Sequence, residues 1–420
     1  MSKVQTRILA VLGLLLAAQV LPAQEPRESL NALLQEALGN NPEVLAAQKR
    51  YEASRQRPSQ ASSLPDPMFS PSYNSSGAPW PGAGLGTEPT ANIGFMVSQE
   101  FPFPGKRKLM GEMAAKEAEA EFQEYQAVQL SLVSKVKQAY YRLAYTHAAT
   151  DVLARNIDLL LKLLRITQVR YSVGKAAQQD ILKAQTQLSI LETRKVQLER
   201  EREARKAELI SLLNRPPGSR LGMPEALEPQ PLTWRLEELY AAARENSPTL
   251  RKEQKMIERA DLALNMARKE YYPDFSFGGG YYNMGGMPDM YMFRADIKIP
   301  LYFFRKQRAG VAEQASSLVG SRRNYEAANQ SLHYQIKDEY LTADASARLA
   351  DMYGKAVIPQ ANLTLESSLA SYETGAIDFL SVLMNYMTLV EYELNYYEEL
   401  QNVYLALSGL EEMTATKLIR

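Results

Sequence analysis

The chain has 420 residues, no cysteine, two histidines, and 48 basic against 48 acidic side chains, for a formal net charge of zero. Without cysteine there can be no disulfide, thiolate metal site, cysteine nucleophile or lipidated N-terminal cysteine, and the neutral balance argues against a nucleic-acid footprint. His147 and His333 lie far apart in sequence, and a lone histidine in a helical pattern is more often a packing residue than a ligand, so neither a metal site nor a cofactor is expected.

Lys3 and Arg7 precede an apolar run from Ile8 to Leu16, and small residues follow to Ala23. This is the pattern of a secretory signal over residues 1–23, and the run is far shorter than the ~20 residues a spanning helix needs. A shorter helix should follow, then the strand around Phe69 to Tyr73, interrupted by Pro71, and a second strand in which Ile93, Phe95, Val97 and Phe101 alternate with Asn92, Gly94, Ser98 and Glu100. A loop from Asn74 to Pro89 joins them. From just after Pro104 to Ser172 the apolar steps of three and four, such as Val133, Val136, Tyr140 and Leu143, predict one helix. At 1.5 Å per residue, about 68 residues make a rod of roughly 100 Å. Gly174 should reverse the rod, and a return helix carries Ile181, Ala184, Leu188, Leu191 and Leu198.

The plan then repeats. Leu30, Ala37, Asn40, Pro42 and Gln48 recur as Leu236, Ala243, Asn246, Pro248 and Gln254, a constant offset of 206 (Leu236 against Leu30, Gln254 against Gln48). Leu132, Lys137 and Tyr140 match Leu332, Lys337 and Tyr340, and Tyr171 to Gly174 matches Tyr372 to Gly375. The proline-rich stretch from Pro216 to Pro231 marks the boundary, which divides the mature chain into repeats at 24–229 and 230–420. In the second repeat, strands are expected at Asp274 to Tyr282 and Tyr291 to Leu301, joined by a loop from Asn283 to Asp289. Tyr291, Phe293, Ala295, Ile297, Ile299 and Leu301 share one face of the latter and Met292, Arg294, Asp296 and Lys298 the other, which suits a barrel strand between lipid and water. Four such strands cannot close an open membrane barrel, and open edges are forbidden in lipid. Two chains would supply eight strands and a filled interior, three would supply twelve and a passage, so geometry favours a trimer. The expected fold is mainly α with membrane β: long coiled-coil-like helical hairpins plus four strands that contribute to a trimeric twelve-stranded barrel.

Asn40-Asn41-Pro42 with Asn246-Ser247-Pro248, Leu64-Pro65-Asp66-Pro67, Tyr272-Pro273-Asp274, Gln99-Glu100-Phe101-Pro102-Phe103-Pro104-Gly105-Lys106 and the two Tyr-x-x-Gly turns, in this order, resemble the TolC-like outer membrane efflux family over nearly the whole mature chain. The Phe-Pro-Gly-Lys segment and the length look most like its heavy-metal (CzcC/CusC-like) branch. The resemblance implies a homotrimeric duct with its barrel in the outer membrane of a Gram-negative-type cell and its helices in the periplasm. It also implies a periplasmic adaptor (membrane fusion protein) docked on hairpin tips at Tyr171, Gly174, Tyr372 and Gly375, and an inner-membrane pump of the resistance-nodulation-division type beyond it. No Gly-x-x-x-x-Gly-Lys phosphate cradle is present, so the chain should be a passive conduit, not an enzyme.

By the same resemblance Asp180 and Tyr372 match gate positions. The arginine expected to pair with the aspartate falls on Ile377, and acidic positions that narrow the tunnel fall on Ser381 and Met384. Asp378 stands as a substitute, beside the alternative that the gate is held differently. Asp180 is equally readable as a helix-start carboxylate favoured by the N-terminal dipole. Met284, Met287, Met290 and Met292 surround the second strand turn; thioethers suit soft metals, but the turn should face the cell exterior and methionine is also an ordinary flexible apolar residue. A periplasmic adaptor or structural coiled-coil protein of the envelope is the competing function, though an adaptor would carry one hairpin and a soluble β-rich region. A hydrolase finds no nucleophile and base to build on.

Overall fold

The computed structural model describes residues 28–77 and 79–419, so the expected signal at 1–23 lies outside the described residues. Among the described residues three short helices come first: α1 (Leu30–Asn40), α2 (Pro42–Ser54) and α3 (Arg57–Ser62). Strands β1 (Met68–Asn74) and β2 (Asn92–Phe101) follow, then α4 (Lys106–Ser172) and α5 (Gln178–Leu212). The second half runs α6 (Leu236–Asn246), α7 (Pro248–Lys269), β3 (Asp274–Met284), β4 (Met287–Lys298), α8 (Lys306–Met352), a π-helical turn at Tyr353–Val357, α9 (Ile358–Thr374) and α10 (Phe379–Thr414).

The single shorter helix expected at the start of each half is in fact a broken one, and the Asn-x-Pro repeat is the break. Proline has no N–H to donate and restricts the residue before it to extended backbone. Asn41 therefore sits at φ −68°, ψ 125°, where its side chain caps α2 by accepting from the Glu43 N–H at 2.9 Å. Its amide also donates to the Leu212 carbonyl at 2.9 Å, which ties this corner to the end of α5. Close by, Arg215 reaches Glu36 at 2.7 Å and Glu28 at 2.9 Å, so α1 is clasped to the chain leaving the first hairpin.

Helix α4 is continuous over 67 residues, about 100 Å at 1.5 Å per residue. It packs along α5, α7 and α10. Its counterpart in the second half is interrupted. Pro359 would clash with the carbonyl four residues back and cannot donate, and the π turn at Tyr353–Val357 widens the helix just ahead of it. Among the described residues three apolar clusters lie along the rod, the smallest being Ala260, Leu264 and Leu318 between α7 and α8. One, around Leu33, Val136, Tyr140, Leu209, Leu239, Ile336 and Leu407, joins the short helices of both halves to the long ones. Another, around Leu153, Leu160, Ala184, Leu191, Val382 and Tyr386, holds the two hairpins together towards their tips. Within it the buried Asn156 donates to Glu393 at 2.7 Å, while its carbonyl accepts from Tyr386 Oη at 2.8 Å. A buried polar contact of this kind fixes helix register.

The four strands form one antiparallel sheet in the order β1-β2-β3-β4. Strands β1 and β4 are its edges, which is where Pro71 is tolerated. The second strand connection is shorter than expected: Gly285 and Gly286 alone turn the chain, with Gly285 at φ +73° and hard against the backbone of Gly86. β4 accordingly begins at Met287, and Ile299 and Leu301 fall beyond its end.

Candidate functional site

The pairing register sorts the side chains of the sheet onto two faces. Phe69 is opposite Val97, Val97 opposite Gly279, and Gly279 opposite Phe293; Phe101 is opposite Phe275, and Phe275 opposite Ile297. With Phe95, Phe277, Tyr281 and Tyr291 these residues make one face almost wholly apolar, and Phe293 is 89% exposed on it. Ring contacts run from Phe69 to Phe95 (5.5 Å), Phe95 to Tyr281 (6.3 Å) and Tyr281 to Tyr291 (5.6 Å), crossing all four strands. The other face carries Ser70, Ser98, Glu100, Ser276, Arg294, Asp296 and Lys298. Beyond the helix-side ends of the strands, Tyr272, Tyr302, Phe303 and Phe304 are exposed, as in the aromatic girdle of a membrane barrel.

Met284 and Met287 flank the second strand turn, and Met292 lies on the polar face of β4 as its alternation predicts; the register adds Met290, Met68 and Met96 to that face. No group of three or more histidine, aspartate or glutamate side chains is placed to hold a metal ion among the described residues. His333 packs on Tyr240, ring centres 4.7 Å apart.

Sheet meets rod at Lys106. Gly105, at φ +91°, turns the chain into α4, and Lys106 is only 2% exposed. Its ammonium pairs with Asp274 at 2.9 Å and Glu270 at 3.4 Å, and Asp274 also accepts from the Phe103 N–H at 2.8 Å. The Phe-Pro-Gly-Lys segment and the Tyr-Pro-Asp segment, read separately in the sequence, are thus one joint. A buried charge without such partners would be costly.

At the far end of the rod the two hairpins turn in the same way. Gly174 (φ +73°) and Gly375 (φ +83°) occupy left-handed backbone. Each N–H donates to the tyrosine carbonyl three residues back, and the following residue donates across five, Lys175 to Arg170 at 2.8 Å and Ala376 to Ser371 at 2.9 Å. These are Schellman closures, which need a residue free to adopt positive φ. The tyrosines beside them differ: Tyr171 is 45% exposed and Tyr372 only 3%.

The structure does not join Asp180 to Tyr372. The Asp180 carboxylate accepts from the Ala177 N–H at 3.3 Å, at the start of its own helix. Asp378 caps α10, accepting from the Ser381 N–H at 3.0 Å and the Ser381 hydroxyl at 2.5 Å, and these bonds hold its carboxyl below the ordinary range. Ser381 is therefore this cap's partner, while Met384 is exposed and Ile377 half-buried.

At the tip itself the hairpins are joined by Arg170, which sequence reasoning missed. Its guanidinium lies over the Tyr372 ring at 4.5 Å and donates through Nη1 to the Glu373 carbonyl at 2.7 Å. The Tyr372 hydroxyl and Arg170 Nε are buried without a hydrogen-bond partner among the described residues. Arg170 and its partners lie on different hairpins, and the repeat counterpart of Arg170 is Ser371, so neither spacing nor self-similarity could have signalled it.

A strand sheet with a lipid-type face, mounted on a coiled-coil rod of about 100 Å, defines an envelope-spanning membrane protein. The chain belongs to the outer membrane efflux protein family, whose pattern it matches over residues 33–215 and 239–416. It is 24% identical over 386 residues to the probable outer membrane lipoprotein SilC of Salmonella typhimurium, covering 84% of this chain and 78% of that one. Among solved structures it superposes on CusC with a TM-score of 0.77 at 17% identity, over 94% of this chain and 95% of that one. It superposes on the outer membrane protein VceC of Vibrio cholerae with a TM-score of 0.77 at 17% identity, over 92% and 95%.

Proposed function

We propose that the chain is one protomer of a homotrimeric outer-membrane duct, the passive exit of a tripartite efflux system whose adaptor docks at the hairpin tips and whose inner-membrane pump supplies the energy. The observation that carries this is a four-stranded sheet with two open edges and one apolar face, standing on a helical rod long enough to cross much of the periplasm. Edges must be closed within lipid, and three copies give twelve strands with a passage. Val169, Val196, Tyr334, Leu341 and Leu363 are exposed along the rods of the single chain, apolar surface that neighbouring copies would cover.

The two repeats, 24–229 and 230–420, each contribute two strands and one hairpin. Tyr171, Gly174, Tyr372 and Gly375 form the docking tips. Asp180, Tyr372 and Asp378 are kept as gate residues, with Arg170 as the bond between the two hairpins of a protomer. In a trimer Asp180 faces a neighbouring protomer, and the buried Tyr372 hydroxyl gains its missing partner on closure. The Phe-Pro-Gly-Lys segment supports placement in the heavy-metal branch; deletion of the gene should then sensitise cells to copper, silver, zinc or cobalt more than to drugs. Fractionation tests the assignment. The protein should sediment with outer membranes and run as a heat-sensitive trimer in unboiled detergent gels. Release as a soluble protein, or co-purification with the inner membrane, would favour an adaptor and overturn the assignment.

A further inference from the structure

Just beneath the apolar face of the sheet, where β2 and β3 meet the rod, lies a cavity of about 590 Å³ lined by Phe101, Phe103, Pro104, Phe275, Phe277 and Arg107. Phe101, Phe275 and Phe277 belong to the lipid-type face, so the cavity is continuous with it. Phe103 stacks on Tyr272 at 4.5 Å, and the Lys269 ammonium stands 5.7 Å above the Phe103 ring and 3.5 Å from the Pro104 carbonyl. Arg107 is oriented by its Nε donating to the Ser62 carbonyl at 2.9 Å.

Along the rod, Lys116, Lys252, Lys255 and Arg259 each meet a glutamate, and Lys106 is buried against Asp274. Arg107 and Lys269 have no ion-pair partner among the described residues, and neither do Arg305, Lys306 and Arg308 at the matching place in the second half. Neither long helix has an acidic residue in its first turn. Basic first turns run against the helix dipole, so an anion supplied from outside would be stabilised there by both.

We propose that this corner binds an anionic phospholipid of the inner leaflet of the outer membrane. Its acyl chain lies over Phe101, Phe275 and Phe277, and its phosphate meets Arg107 and Lys269. The inner leaflet is indicated because the corner is at the helix end of the sheet, opposite the Gly285-Gly286 turn. This rests on the barrel assignment above, since only a membrane sheet puts the cavity at a lipid interface.

The test titrates purified full-length protein in dodecyl maltoside with dioleoylphosphatidylglycerol or dioleoylphosphatidylcholine, which share chains and differ in charge, and counts retained lipid by native mass spectrometry. Phosphatidylglycerol should be retained in preference, and the double variant R107Q/K269Q should lose about tenfold to thirtyfold in apparent affinity, at roughly 1 kcal/mol per basic residue. R107K should keep most of the binding. Equal retention of the two lipids, or an unaltered titration for the double variant, would overturn the site, as would displacement of phosphatidylglycerol by lipopolysaccharide at equal concentration. A wild type that conducts in planar bilayers yet shows no lipid preference refutes the lipid site alone; one that never conducts refutes the duct.

Discussion

Replacing Arg170 with alanine removes two contacts at once: the guanidinium 4.5 Å over the Tyr372 ring and the 2.7 Å bond to the Glu373 carbonyl. A cation over an aromatic ring at a partly exposed site is worth about 1 kcal/mol, and a hydrogen bond to a charged donor about 1.5–3 kcal/mol. Discounted for solvent at the tip, roughly 2–3 kcal/mol per protomer is lost, a shift of about 30-fold to 150-fold in the equilibrium between joined and parted hairpins. Single-channel recording in planar bilayers at fixed salt reads this as open probability. Arg170→Ala should raise it more than tenfold, and Arg170→Lys, which keeps the charge but not the planar fork, should fall between. The contact between hairpins has no part in closure if Arg170→Ala assembles normally and its closed-state current matches that of the parent.

Lys106→Met should destabilise the joint between sheet and rod by about 3–5 kcal/mol, because Asp274 is left in a half-buried site without its cation; a lowered yield of heat-sensitive trimer would show it. Asp180→Ala should raise conductance if the carboxylate holds a neighbouring protomer, and an unchanged current would reduce it to the helix-start bond with Ala177. Glu339 is half-buried against α10, and burial pushes its carboxyl up. The folded state therefore takes up a proton more readily than the unfolded chain, and stability falls as pH rises from the unfolded value through the folded one. Glu339→Gln should raise the melting temperature at pH 8 and leave it nearly unchanged at pH 3, where the acid is neutral in both states.

Much of the fold was legible because it rests on local periodicity. The span from Lys106 to Ser172 contains one early glycine and no proline, and a stripe of threes and fours, so a single helix was the only consistent outcome. Alternation in Phe275, Phe277, Ile297 and their neighbours placed the strands and their lipid-type face. What failed was set by chemistry at single positions. The Asn-x-Pro pairs read as landmarks of repetition, yet physically they are helix breaks, and Gly354 with Pro359 signalled the π turn that interrupts the second rod. Alternation alone puts Met292 on the polar face of β4, whereas Met290 joins it only because the tight Gly285-Gly286 connection starts the strand earlier.

The site was less legible for a different reason. Tyr372, Gly174 and Gly375 stand out because backbone geometry demands them or a repeat echoes them. Arg170 acts through a partner some two hundred positions away in the chain, and Asp378 spends its carboxylate on Ser381, which no spacing pattern distinguishes from a gate.

The central claim is that three copies of this chain enclose a passage through the outer membrane. Purified protein reconstituted in planar lipid bilayers tests it most directly: the account predicts discrete ion-conductance steps carried by a heat-sensitive trimer, and protein that stays monomeric and never conducts would contradict it.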